Sequence, residues 1–162
     1  VDEEVARILG ELAIAPDASD EEKIRAVYGY IYDTVEYDLI HKNKKNSHLK
    51  TTAYAALINK HAVCQGYAVT AYRLLKEIGV DARIITGMAT VADKEERHAW
   101  NLVRAGNCYY NLDIALDKTN GDHACYMKCD RTFSKDHVRD GQYADDEFYM
   151  TYPMSKEDLE FE

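Results

Sequence analysis

The stretch Ala62-Val63-Cys64-Gln65-Gly66-Tyr67-Ala68 places a thiol where a helix should begin, and this decides how the remainder of the chain is read. From Cys64 onward Ala68, Ala71, Tyr72, Leu75 and Ile78 recur at helical spacing, Lys76 sits near the end, and Gly79 supplies a C′ stop. Cys64 therefore falls in the first turn. Unpaired backbone N–H groups and the positive end of the helix dipole favour a thiolate at that place, and the thiolate is the reactive form of cysteine.

A nucleophile also needs a base. Arg97-His98-Ala99-Trp100-Asn101-Leu102-Val103 reads as a strand carrying a histidine, and Cys108-Tyr109-Tyr110-Asn111-Leu112-Asp113 as the next strand, carrying an acid. Only Gly106-Asn107 separates them, a two-residue loop that suits a hairpin. Pairing 105 with 108 puts 104 opposite 109, 102 opposite 111 and Trp100 opposite Asp113. His98, two residues before Trp100, shares its face and becomes a diagonal neighbour of Asp113, about 7–8 Å away at the backbone and within side-chain reach. Cys64, His98 and Asp113 are then a candidate nucleophile, base and orienting acid. A register slip of one residue would separate them. His61, three residues before Cys64, has no such acidic partner.

Four segments together resemble the core of the bacterial transglutaminase-like superfamily: Thr52-Ala53-Tyr54-Ala55-Ala56-Leu57, Val63-Cys64-Gln65-Gly66-Tyr67-Ala68, His98-Ala99-Trp100-Asn101 and Tyr109-Tyr110-Asn111-Leu112-Asp113. The resemblance covers roughly residues 50 to 140. It implies a papain-like fold, a Cys64-His98-Asp113 triad and acyl transfer through a thioester: transglutamination, or peptide or amide hydrolysis, on a protein or peptide substrate and without a cofactor. Gln65, and an aromatic upstream of the nucleophile such as Tyr37, are candidates for holding the oxyanion, and Trp100 for walling the site or supporting the histidine. One departure stands out. Relatives continue after the triad acid with Thr-Trp-Asp, whereas Asp113 is followed here by Ile114-Ala115-Leu116-Asp117. That altered wall raises an alternative, a transglutaminase-like binding or surface-assembly module without turnover.

Composition limits the other possibilities. The 162 residues, 46% hydrophobic and 30% charged, suit a single domain over 1–162, with 1–49 as an N-terminal helical scaffold and 50–140 as the catalytic core. A net charge of −9 argues against a nucleic-acid or anionic-membrane partner, and no apolar run approaches the roughly 20 residues that cross a bilayer. The resemblance leans toward an extracellular or cell-surface protein whose export signal is absent from the sequence, with a cytoplasmic location left open. Four cysteines without paired spacing do not choose between compartments.

Along the chain, Val5, Ile8, Leu9 and Leu12 mark a short amphipathic helix ended near Pro16. Ser19 and Glu22, at capping-box spacing, open a second that carries Ile24, Val27, Tyr28, Ile31 and Val35 and ends near Tyr37. His41 to His48 reads as a solvated basic loop. Thr51 or Thr52 caps a short helix through Ala53, Ala56 and Leu57. Val80 to Met88 reads as a buried strand in which Gly87 allows a close approach, and Asp93 to Arg97 as a charged loop at the rim of the cleft. The sum is an α+β fold, helices first and then an antiparallel sheet packed on the cysteine helix.

Beyond Asp113 the signals weaken. Asp117, Asn120 and Asp122 lack the alternation of a calcium loop, so a polar turn at Asn120-Gly121 is expected. Cys125 and Cys129, on what reads as a strand, would lie some 13 Å apart at about 3.3 Å per residue, too far to share a zinc ion with His123 and Cys108. No metal is expected, and a disulfide from Cys108 stays open. Asp130 to His137 resembles the stretch that follows this strand in the relatives, where it is structural.

Overall fold

The computed structural model describes residues 1–38 and 51–162, so the expected basic loop, His41 to His48, lies outside the described residues. Helix α1 (Asp2–Leu12) sets Asp2, Glu3 and Glu4 at its positive end and buries Val5 and Ile8. Helix α2 (Asp20–Thr34) is capped by Ser19, whose hydroxyl accepts from the Glu22 N–H at 3.1 Å, and buries Ile24, Val27, Tyr28 and Ile31. It stops three residues short of Tyr37. The chain there is needed in extended form, because strand β1 (Glu36–Tyr37) pairs in parallel with β2 (His61–Ala62) on either side of α3 (Ala53–Leu57). Thr52 is the cap of α3, accepting from the Ala55 N–H at 3.1 Å.

Helix α4 (Cys64–Glu77) begins at the thiol and ends as the spacing requires. Gly79 lies at φ +81°, its N–H donates to Lys76 O at 3.1 Å and that of Val80 to Leu75 O at 2.9 Å, the two bonds of a Schellman stop. Tyr67, Ala68, Ala71, Leu74 and Leu75 are buried, and the Tyr67 hydroxyl donates to Val35 O at 2.7 Å, tying α4 to the end of α2.

Strands β3 (Ala82–Val91), β4 (Lys94–Ala105), β5 (Cys108–Leu112) and β6 (His137–Arg139) form an antiparallel sheet in the order β5-β4-β3-β6. The β4–β5 register is the one the Gly106-Asn107 loop dictates: Ala105 opposite Cys108, Arg104 opposite Tyr109, Leu102 opposite Asn111. The charged segment before His98 is strand rather than loop. Pairing continues to Val91 opposite Lys94, and the chain turns at Ala92-Asp93, whose φ values of 51° and 66° are those of a type I′ hairpin. Exposed side chains on Lys94, Glu95 and Arg97 keep their charges in water while the backbone stays paired, so charge here did not mean a loop.

His98 to Val103 are all buried because the sheet is covered on both sides. Asn101 and Val103 face the helices, with Asn101 Nδ2 donating to Ala68 O at 3.0 Å. Trp100 and Leu102 face a second core of Ile85, Tyr109, Leu116, Cys125 and Phe133. Gly87 makes that side possible. It pairs with His98 on one flank and Arg139 on the other, and a Cβ there would lie 2.1 Å from Val138 O and 2.8 Å from Trp100 Cη2. Gly87→Ala is therefore expected to cost about 3 kcal/mol, the upper end of the overpacking range, read as a lowered urea midpoint at unchanged slope.

After β5 the chain forms α5 (Ile114–Asn120), a helix not expected from the sequence; Gly121, at φ +69°, ends it at the polar turn expected at Asn120-Gly121. Residues 122–129 are not a strand. They cross back irregularly, with Met127 at φ +48° and a single bridge from Lys128 to Asn111, so the spacing of Cys125 and Cys129 along a strand does not apply. All four cysteines are free thiols. Helix α6 (Asp130–Phe133), β6, a 3-10 turn (Gly141–Tyr143) and α7 (Asp146–Thr151) complete the chain.

A polar network is buried between α2 and α5. The Tyr28 hydroxyl lies 2.7 Å from Asp117 Oδ2 and 2.8 Å from His123 Nδ1, and Asp117 Oδ1 accepts from the Cys125 N–H at 2.8 Å. Burial pushes the Asp117 carboxyl up to about 8. An unfolded Asp titrates near 3.9, so between about pH 4 and 8 the unfolded chain gives up a proton that the folded chain keeps. Stability falls as pH rises through that window, by at most about 1.4 kcal/mol per pH unit. Asp117→Asn, which keeps an acceptor for Cys125, is expected to flatten this decline in urea unfolding compared at pH 5 and pH 8.

Candidate active site

Cys64 is the first residue of α4, half-buried, and Val63 before it offers no side-chain cap to the first turn. The thiol lies beside the His98 ring and favours its charged form. His98 Nε2 is in turn 2.7 Å from Asp113 Oδ2, which leaves Nδ1 for the sulfur. The three residues singled out in the sequence are thus brought into one chain of contacts: sulfur, imidazole, carboxylate. Local folding explains each position. Cys64 is set by the start of α4, His98 by the β3–β4–β5 register, and Asp113 by a double duty, since it follows the last residue of β5 and caps α5 by accepting the Leu116 N–H on Oδ1 at 3.1 Å.

The charges are coupled. Burial works against a charged His98, but the Asp113 carboxylate beside it, the hydrogen bond that the ring donates to that carboxylate, and the neighbouring Cys64 sulfur outweigh this and raise the ring to about 10. Burial likewise opposes ionised Asp113, yet His98 and His137 hold it well below the usual carboxylate range.

His137 was not among the residues expected here. Its Nε2 lies 2.8 Å from the same Asp113 Oδ2, and its Nδ1 2.7 Å from Asp136 Oδ1. Nothing in local spacing points to it, for it stands 24 residues beyond Asp113 and reaches the site from β6, two strands away from His98. Trp100, a candidate wall, is 1% exposed and packs edge-on to His137 with centroids 5.0 Å apart, so it supports the imidazoles. Tyr37 does reach the nucleophile: its hydroxyl lies beside the backbone N–H of Cys64, and burial pushes its ionisation up, so it stays a phenol. Gln65 is exposed beside Cys64, and His61 is exposed on β2.

The ligand-type atoms of His98, Asp113 and His137 lie within 4.8 Å of one another. Both imidazole Nε2 atoms are already bonded to Asp113 Oδ2, and an ion at that point would have to displace both bonds. Cys108, His123, Cys125 and Cys129 make no comparable cluster among the described residues. No helix among those residues is long and apolar enough to cross a membrane.

The sequence pattern of the transglutaminase-like superfamily core matches residues 9–114, well over half of the chain. No curated protein matches the chain. Among solved structures, a crystal structure of a TGase superposes with a TM-score of 0.61 at 20% identity, over 70% of this chain and 31% of that one. A putative cysteine protease from Cytophaga hutchinsonii gives 0.60 at 18% identity, over 85% of this chain and 40% of that one. The chain thus spans less than half the length of either, and the likeness is one of fold.

Proposed function

The chain belongs to the transglutaminase-like superfamily, a family of cysteine-based acyl transfer, and we propose that it forms a Cys64 thioester with peptide or glutamine carboxamide carbonyls. The observation that carries this reading is the imidazole of His98, bonded to the Asp113 carboxylate at 2.7 Å and standing beside the Cys64 thiol, which adds to its basicity. In the first step the sulfur adds to the carbonyl carbon while His98 holds the thiol's proton. The resulting oxyanion sits against the first turn of α4, where the Cys64 N–H is one donor and the Tyr37 hydroxyl, which lies beside that N–H, is the second. Collapse of the adduct breaks the C–N bond, and His98 gives its proton to the departing ammonia or amine. Water or a lysine amine then attacks the thioester, transfers a proton to His98, and releases the thiol. Asp113 keeps the ring in the one orientation that serves both halves of the cycle.

Asp113 also accounts for the unusual sequence that follows it. Ile114, Ala115 and Leu116 are buried in α5, so the departure from the family's Thr-Trp-Asp run builds a helix on the acid and leaves its contact with His98 in place. Incubation with a glutamine-peptide library, with and without a primary amine, tests the proposal by mass spectrometry. Peptides deamidated, cleaved or amine-conjugated in a Cys64-dependent manner are expected. A folded protein that leaves every peptide unchanged would point instead to a binding module.

A further inference from the structure

We propose that His137 is a positioning residue for the Cys64–His98–Asp113 site, holding the carboxylate that orients His98. This rests on the reading of Cys64 as nucleophile. The Asp113 carboxylate is held by three donors: the Leu116 N–H on Oδ1 at 3.1 Å, and on Oδ2 both His98 Nε2 at 2.7 Å and His137 Nε2 at 2.8 Å. Two donors reaching one oxygen from different strands fix its direction in a way a single one cannot.

His137 is itself built in. Its ring stacks on Phe133 with centroids 3.7 Å apart and planes at 18°, meets Trp100 edge-on, and is 3% exposed. Asp136 Oδ1 takes its outer nitrogen at 2.7 Å, which turns Nε2 and its proton toward Asp113. An imidazole–carboxylate pair thus stands behind the Asp113–His98 pair and repeats its geometry one step farther from the sulfur.

The sheet is shaped to allow this contact. His98 on β4 and His137 on β6 lie on one face, two strand spacings (about 9.5 Å) apart across the sheet and two residues (about 6.8 Å) apart along it, with β3 between them. Their rings approach to 5.9 Å between centroids only by leaning over β3, and the residues of β3 beneath them on that face are Gly87, opposite His98, and Ala89, opposite His137. A phenyl ring at 137 would fill the space and keep the stack on Phe133. Burying instead a ring whose two nitrogens each require a partner is costly unless its hydrogen bonds are used.

The titratable and charged groups facing His137 are Asp113 and Asp136 in contact, His98 across β3, and on neighbouring positions of the same face Glu96 and Arg139, the latter paired with Asp130 at 2.9 Å. Removing its donor frees Asp113 to turn and weakens the hold on His98.

The rate of Cys64 alkylation by iodoacetamide as a function of pH tests this without a known substrate. His137→Phe, folded by near-ultraviolet circular dichroism, is expected to react about tenfold more slowly at pH 6 and to need a higher pH for half-maximal rate, the scale on which supporting shells act. His137→Gln, which returns a donor near the Nε2 position, is expected to recover most of the rate. If both variants match the wild type, or both are equally slow, the proposal is overturned. Asp136→Asn, at a side chain 47% exposed, gives a second reading should His137→Phe not fold: a smaller fall in the same rate is expected, and no fall overturns the proposal. A wild-type protein that is itself slow at pH 6 would instead remove the reading of Cys64 on which this depends.

Discussion

Cys64→Ala is expected to abolish turnover, with a loss on the order of 10⁶-fold in kcat, the scale reached when a triad nucleophile is removed. The thiol is half-buried at a helix start, and alanine propagates a helix well, so the fold should survive and circular dichroism should match the wild type. Residual rate near background is the predicted reading in any assay that detects product from glutamine peptides. Replacing Cys108, the other half-buried thiol, should leave that rate intact, since Cys108 begins β5 away from the His98–Asp113 pair.

Asp113→Asn should follow with a loss of about 10⁴-fold in kcat, as expected when the orienting acid becomes an amide whose one acceptor oxygen cannot serve both imidazoles and the Leu116 N–H. Its effect on stability has a sign set by His98. With the ring raised to about 10 from its ordinary 6.5, the pair contributes stability that is fully present below about pH 6.5 and is lost as pH rises through 10. Asp113→Asn removes that contribution, so the variant should be less stable than the wild type at pH 6, and the gap should narrow toward pH 10. Urea midpoints at pH 6, 8 and 10 measure it. Asp113→Ala should be worse at all three, because it also removes the cap on Leu116 N–H, about 1 kcal/mol by itself.

Much of this site could be read from residue order because its constraints are local. A helix start needs only its own periodicity and stop, and Gly79 supplied the stop. A two-residue loop fixes strand register without help from the rest of the fold, and register alone put His98 and Asp113 on one face. The close approach at Gly87 was legible for the same reason, since a glycine inside an apolar strand has few other uses.

What escaped the sequence reading depended on distant partners. Asp113 lies one residue beyond the end of β5 and caps α5, a role its sequence neighbours hide, because the capped residues Ile114 to Leu116 look like any buried apolar run. Lys94 to Arg97 looked like a loop because charge was weighed above the ladder to β3 that holds the backbone. His137 sits on a strand of three residues, too short to show alternation, and its contact with Asp113 spans the sheet from β6 to the end of β5. Such a contact becomes visible only once the strand order is known.

Activation of the Cys64 sulfur by His98 and Asp113 can be read from alkylation in competition within a single molecule. Wild-type protein is treated briefly with iodoacetamide at pH 6, and peptides containing Cys64 and Cys108 are quantified together. An ordinary thiol is under about 1% ionised at that pH. An activated Cys64 should therefore be modified on the order of 100-fold faster than Cys108, and Asp113→Asn should erase most of the difference. Equal rates at the two thiols in folded wild-type protein would mean that His98 and Asp113 do not activate Cys64.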